Sequence, residues 1–215
     1  MSDLGILILH YHTSDVFKQN FNSCVQHNPN ATVCCYNPND LTRHPDLHAR
    51  HSASPTRSSD VLLQGFWRDK KVNCHKWFVC EWDTYFNTSL EDFFGIAMGL
   101  RFVVLDLMRL WTVPWWDWFR ETEQFTVKQR QVMTGVVPFA FLIDEELLGK
   151  IVEKLPELNG SNGECRFGTA AILAGVVPTV YCPPRARFSW TPVNPARIKA
   201  KSIFHSVKYL VEPYQ

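Results

Sequence analysis

Apolar and polar positions fall in blocks along this chain. Residues 5–9 form a continuous apolar run that breaks into His10, Tyr11, His12 and Thr13, as a buried parallel strand does at its carboxyl end. Ser14 and Asp15 then offer an N-cap, and Phe17, Phe21 and Val25 recur at helical spacing as far as Gln26. Residues 31–37 return as a second strand, so the chain opens as a βαβ unit.

Residues 38–59 are rich in Pro, His, Ser, Asn and Asp, and the expectation there is an irregular crossover. After Asp60–Gly65, which reads as a helix or a strand, the run Trp77, Phe78, Val79, Cys80 carries a buried strand into two acids, Glu81 and Asp83. Residues 101–109 make a third strand, followed by a tryptophan-dense stretch at 111–119 and a polar, helical segment at 121–131. Residues 135–155 read as a strand running into an amphipathic helix, 164–175 as a helix, 176–182 as a strand, and 202–210 as a closing strand. No internal repeat is visible. Alternating strands and helices predict a single α/β domain over 1–215, a sandwich with a mostly parallel central sheet.

The composition agrees with a globule: 46% hydrophobic and 20% charged residues over 215 positions. Twenty-two Lys and Arg balance twenty-one Asp and Glu, which argues against a broad nucleic-acid-binding or anionic-membrane surface. Seven cysteines without regular spacing, no signal peptide and no apolar stretch of membrane-spanning length predict free thiols and a cytoplasmic protein without a transmembrane segment. Sequons at Asn30, Asn87 and Asn159 carry no weight on that reading.

The chemistry concentrates in a few places. Glu81, Trp82 and Asp83 close a strand too apolar to be anything but buried, so the acids are expected at the sheet edge facing a cleft. Spacing of two in a strand puts both carboxylates on one side, where they suit a hard cation such as Mn²⁺ or Mg²⁺; two surface acids capping a strand end is the alternative. His10, Tyr11, His12 and Thr13 are placed to stack on a base and hold a ribose, with Asn37 and Asp40 as further base or ribose contacts, and ordinary turn chemistry is the competing account. His205, alone on an apolar strand, reads as a core histidine or a ligand. Trp111, Trp115, Trp116 and Trp118 cannot all be buried together. Their faces suit sugar rings, and Asp117 suits sugar hydroxyls, which makes Trp115, Trp116 and Asp117 an acceptor-binding wall; a packing wedge or an oligomer contact is the alternative. His44, His48 and His51, with Cys74 and His75, lack the paired spacing of a structural zinc site and read as solvated loop histidines.

In this order the features resemble the GT-A (Rossmann-like) glycosyltransferases, including small bacterial and chlorella-virus-encoded domains: a nucleotide-cradling first strand, an acidic triplet after a mid-chain strand, a Trp-rich stretch, an acid at a helix start, and a closing strand with His205 and Lys208. The resemblance covers nearly the whole chain. It implies a nucleotide-binding part at roughly 1–100 and an acceptor-binding part at roughly 101–215. It further implies that Asp83, with Glu81 and His205, holds the divalent metal, that Lys208 meets a phosphate oxygen, and that Glu81 and Trp82 belong to the donor site. Glu81 stands where the family's triplet begins with Asp, which leaves its role less defined than that of Asp83. Glu164, at the start of the helix after Gly163, would face the acceptor as general base, with Asp117, Asp144 and Glu145 as alternatives and helix capping as the competing account.

The implied reaction is sugar transfer from a nucleoside diphosphate sugar, UDP by family prevalence, to a glycan hydroxyl, with inversion or retention open. A sugar-phosphate nucleotidyltransferase would need a Gly-rich basic loop after its first strand, and residues 10–15 contain neither Gly nor Arg. A non-catalytic carbohydrate-binding module would use the tryptophans alone.

Overall fold

The computed structural model describes residues 2–11, 14–54, 58–115, 125–181, 187–188, 203–205 and 207–208. In chain order its elements are β1 (Ser2–Leu9), α1 (Asp15–His27), β2 (Thr32–Tyr36), α2 (Pro45–Ala53), α3 (Ser59–Asp69), β3 (Cys74–Glu81), β4 (Tyr85–Phe86), α4 (Leu90–Phe94), β5 (Phe102–Arg109), α5 (Val127–Gln131), β6 (Thr134–Asp144), α6 (Glu145–Lys154), α7 (Gly163–Leu173), β7 (Thr179–Val180), β8 (Arg187–Phe188) and β9 (Ile203–His205).

Six strands form the central sheet in the order β2-β1-β3-β6-β5-β7. β1 pairs in parallel with β2 and β3, and β5 with β7, whereas β6 runs antiparallel to both β3 and β5. The sheet is therefore mostly parallel with one reversed strand inserted. Successive side chains of β3 point to opposite faces. Trp77 and Val79 enter a core with α3, α6 and α7, while Phe78 and Cys80 enter a second core with α1 and α4. Burial on both faces explains the near-continuous apolar runs in the sequence, and three α/β/α layers follow.

Local chemistry fixes the ends that matter. The Ser14 hydroxyl accepts a hydrogen bond from the Phe17 amide (3.2 Å) and so caps α1 directly behind the end of β1. Ser14→Ala should cost about 1 kcal/mol in urea unfolding, the usual worth of such a cap, and an unchanged midpoint would show that water replaces it fully. α7 lies unusually close to β6, because a Cβ on Gly168 would stand 2.3 Å from the Thr134 carbonyl oxygen. That contact, with the Phe167 ring stacked on Phe141 at 4.3 Å, sets where the first turn of α7 arrives.

Three expectations change. The described part of the stretch 38–59 is regular rather than irregular, holding a 3₁₀ turn (Asp40–Arg43) and α2. Its polar composition hides a narrow inner face of Leu41, Leu47 and His51, and Pro45 starts α2 where a missing N–H costs nothing. The closing strand does not join the main sheet; β9 lies between β4 and β8 in a three-stranded sheet of its own. Of the helix expected across 121–131, the described part is α5. Among the described residues no helix is long and apolar enough to cross a membrane.

Candidate functional site at the carboxyl edge of the parallel strands

Because β6 is antiparallel to both neighbours, β1, β3 and β5 all finish at one edge of the sheet. Ligands of open α/β sheets collect at this edge. The segments after β1, β3 and β5 carry Tyr11, the Glu81–Asp83 turn, and Trp111 with Trp115. The first turns of α3 and α7 come to the same place. They touch: a Cβ on Gly163 would lie 2.9 Å from Asp60 Oδ1 and 3.2 Å from the Ser59 amide nitrogen.

A buried ion pair locks that contact. Arg166 donates from Nε to Asp60 Oδ2 (2.8 Å) and from Nη2 to Oδ1 (2.6 Å), a two-pronged match, and from Nη1 to the carbonyls of Gly160 (3.0 Å) and Ser161 (2.6 Å). Beside it a hydrogen-bonded chain crosses the edge. Ser59 Oγ donates to Glu81 Oε1, and the Tyr11 hydroxyl lies 2.6 Å from the same Ser59 oxygen. The Tyr11 ring packs on His51, with centroids 5.7 Å apart. Burial, then the Glu81 carboxylate, pushes the Tyr11 phenol well above its ordinary range, so it keeps its proton. His51 is buried, and its Nε2 has no hydrogen-bond partner among the described residues. Burial, with His48 adding, holds its pKa below the ordinary value, and the ring stays neutral.

The acidic triplet is divided by the end of its strand. β3 stops at Glu81 and a turn follows, closed by the Thr84 amide donating to the Glu81 carbonyl (3.1 Å). Period-two alternation does not extend through the triplet, and the two acids have different neighbours: Glu81 has Ser59, whereas Asp83 Oδ2 lies 3.8 Å from Lys208 Nζ. The Val207 amide donates to the Asp83 carbonyl (2.8 Å), and Asn20 Nδ2 bridges the carbonyls of Trp82 (3.1 Å) and Val207 (3.2 Å). The segment containing His205 thus runs against the acidic turn through its backbone; the His205 side chain lies outside the described residues. Among those residues no three His, Cys, Asp or Glu side chains converge as a metal set.

The remaining candidates divide as follows. His10 is buried with its ring stacked on Phe17 at 4.3 Å. Asn37 and Asp40 serve a turn, the Asn37 amide donating to Asp40 Oδ2 (2.9 Å) and Asn37 Oδ1 accepting from the Asn39 amide (2.8 Å). Trp111 and Trp115 are exposed at 62% and 67%, too open for a packing wedge, and the Arg109 guanidinium sits 5.3 Å over the Trp111 ring. Glu164 stands in the first turn of α7, where Asn162 Nδ2 donates to its Oε2 (3.0 Å). His12, Thr13, Trp116, Asp117 and Trp118 lie outside the described residues.

Asp144 and Glu145 belong to the opposite edge, where β6 ends. Burial would raise the Glu145 carboxyl, but Lys70, the Trp77 indole and the Cys74 amide outweigh it and hold the pKa below the ordinary value. An open cleft of about 810 Å³ lies at that edge beside Trp67, Asp144 and Lys150, and its charged walls are largely paired with one another. This cleft and the converging chemistry therefore sit at opposite ends of the sheet, and we place the candidate site by the chemistry.

Sequence reasoning missed Ser59, Asp60, Arg166 and His51. Arg166 left a signal, a cation inside the apolar stretch 165–173 that needs a buried partner. Two of the three histidines at 44–51 are also less solvated than expected, since His51 is buried and His44 Nε2 lies 3.0 Å from Asp69, whereas His48 is exposed.

No protein-family profile matches this chain, and no curated protein matches it. Among solved structures it is similar to the galactosyltransferase LgtC in complex with donor and acceptor sugar analogs, at 12% identity, over 94% of this chain and 87% of that one, with a TM-score of 0.49. At that identity and score the likeness assigns no activity.

Proposed function

We propose that this chain is a nucleotide-sugar-dependent glycosyltransferase acting at the carboxyl edge of β1, β3 and β5. The observation that carries the reading is the meeting of the acidic turn with a segment more than a hundred positions away: Val207 donates to the Asp83 carbonyl, and Lys208 Nζ lies 3.8 Å from the Asp83 carboxylate. That meeting brings a carboxylate, a lysine and the Val207 backbone together, a setting that suits a diphosphate with its cation.

On this reading Asp83 and His205 would hold Mn²⁺ or Mg²⁺, and Lys208 would meet a phosphate oxygen. When bound, the cation neutralises charge on the leaving diphosphate, taken to be UDP. Tyr11 walls the nucleoside side. Trp115 offers a face to the acceptor sugar, and Glu164 takes the proton of its attacking hydroxyl.

Thermal unfolding with nucleoside diphosphates, with and without Mn²⁺, tests the assignment. A ligand at a hundred times its dissociation constant adds about 2.7 kcal/mol to the native state, a shift of several degrees. UDP with Mn²⁺ should produce it and Asp83→Ala should lose it, whereas Trp82→Phe should keep it. No shift with any nucleoside diphosphate would remove the proposal.

A further inference from the structure

We propose that Ser59 is a positioning residue for the donor site, orienting Tyr11 and Glu81 together through one hydroxyl; the inference rests on the reading of this edge as a nucleotide site. A serine hydroxyl has one hydrogen and two lone pairs. Its hydrogen goes to Glu81 Oε1. The Tyr11 phenol, 2.6 Å from the same oxygen, must then be the donor. The chain therefore has a fixed direction, from Tyr11 to Ser59 to Glu81, and each bond polarises the next.

The three residues come from three elements: the end of β1, the first turn of α3 and the last position of β3. Ser59 is buried, and its backbone is pressed by Gly163 of α7, so its hydroxyl has a fixed origin. Tyr11 is held twice, by its oxygen on Ser59 and by its ring face on His51. Glu81 is drawn toward α3, and Asp83 is left beside Lys208 and the backbone of the closing strand. The two acids of the triplet accordingly do different work. Asp83 faces the diphosphate, and Glu81 fixes the wall against which the nucleoside lies.

Calorimetric titration of the whole chain with UDP and Mn²⁺ tests this. Ser59→Ala should raise the dissociation constant about tenfold, because Tyr11 and Glu81 lose their common anchor and must be ordered at binding. Tyr11→Phe should do the same, the double variant should lose no more than either single one, and Ser59→Thr should restore most of the affinity. The affinity gained on adding Mn²⁺ should persist in Ser59→Ala and vanish in Asp83→Ala. A purely structural serine would lower the melting temperature and leave the dissociation constant unchanged, and that result overturns the inference. Should Ser59→Ala not fold, Tyr11→Phe decides alone, since it deletes one hydroxyl from a half-buried ring; parental affinity in it is the overturning result. A parent chain that binds no nucleoside diphosphate would instead refute the proposed function, and the inference with it.

Discussion

Arg166→Met is expected to lower the unfolding free energy by about 3–5 kcal/mol, the usual cost of leaving one partner of a buried ion pair behind. The Asp60 side chain is 0% exposed and that of Arg166 8%, so water cannot take the place of the guanidinium. The carbonyls of Gly160 and Ser161 lose their Nη1 donor at the same time. Such a loss takes a large share of the 5–15 kcal/mol that holds an ordinary domain together. The pair is nonetheless weak evidence of net stabilisation, because desolvating two charges offsets most of their attraction. Asp60→Leu combined with Arg166→Met should therefore recover much of the loss, which urea unfolding of the single and double variants would measure. A single-variant cost below about 1 kcal/mol would mean that the helix ends part and admit water to Asp60.

That ion pair also marks where the sequence stopped being readable. β1, α1, β3 and the β6–α6 passage were legible because burial on both faces leaves an unbroken apolar run, and burial on one face leaves a helical stripe. The reversal of β6 was not legible, since residues 134–144 are buried on both faces and read alike in either direction. α2 was hidden by a polar surface around two inward residues, Leu47 and His51. In the site, the acidic turn and the exposed tryptophans could be found from residue type and spacing. The Tyr11–Ser59–Glu81 chain could not, because Ser59 lies 48 positions from one partner and 22 from the other, and a serine at a helix start reads as a cap. In fact α3 has no side-chain cap from Ser58, whose hydroxyl donates to the Ser54 carbonyl.

Glu164→Gln should slow sugar transfer by a factor of about 10² to 10⁴, the range lost with a general base, while UDP affinity stays at the parent value. A glutamine keeps the length of the side chain, and its carbonyl can still accept from Asn162 Nδ2, now 3.0 Å from Glu164 Oε2. The N-cap itself, Asn162 Oδ1 accepting from the Cys165 amide at 2.9 Å, is untouched. The charge lost near the amino end of α7 is worth about 0.3–1 kcal/mol of helix stabilisation, too little to unfold the chain. A rate loss with intact folding and intact donor binding therefore isolates proton transfer. Trp115→Ala provides the orthogonal control, because deleting an exposed indole should weaken the acceptor and spare both UDP binding and stability. Parental turnover in Glu164→Gln would make the carboxylate a helix-end charge and move the base elsewhere, with Asp117 next to test. Loss of UDP affinity in Trp115→Ala would place the segment after β5 on the nucleotide rather than on the acceptor.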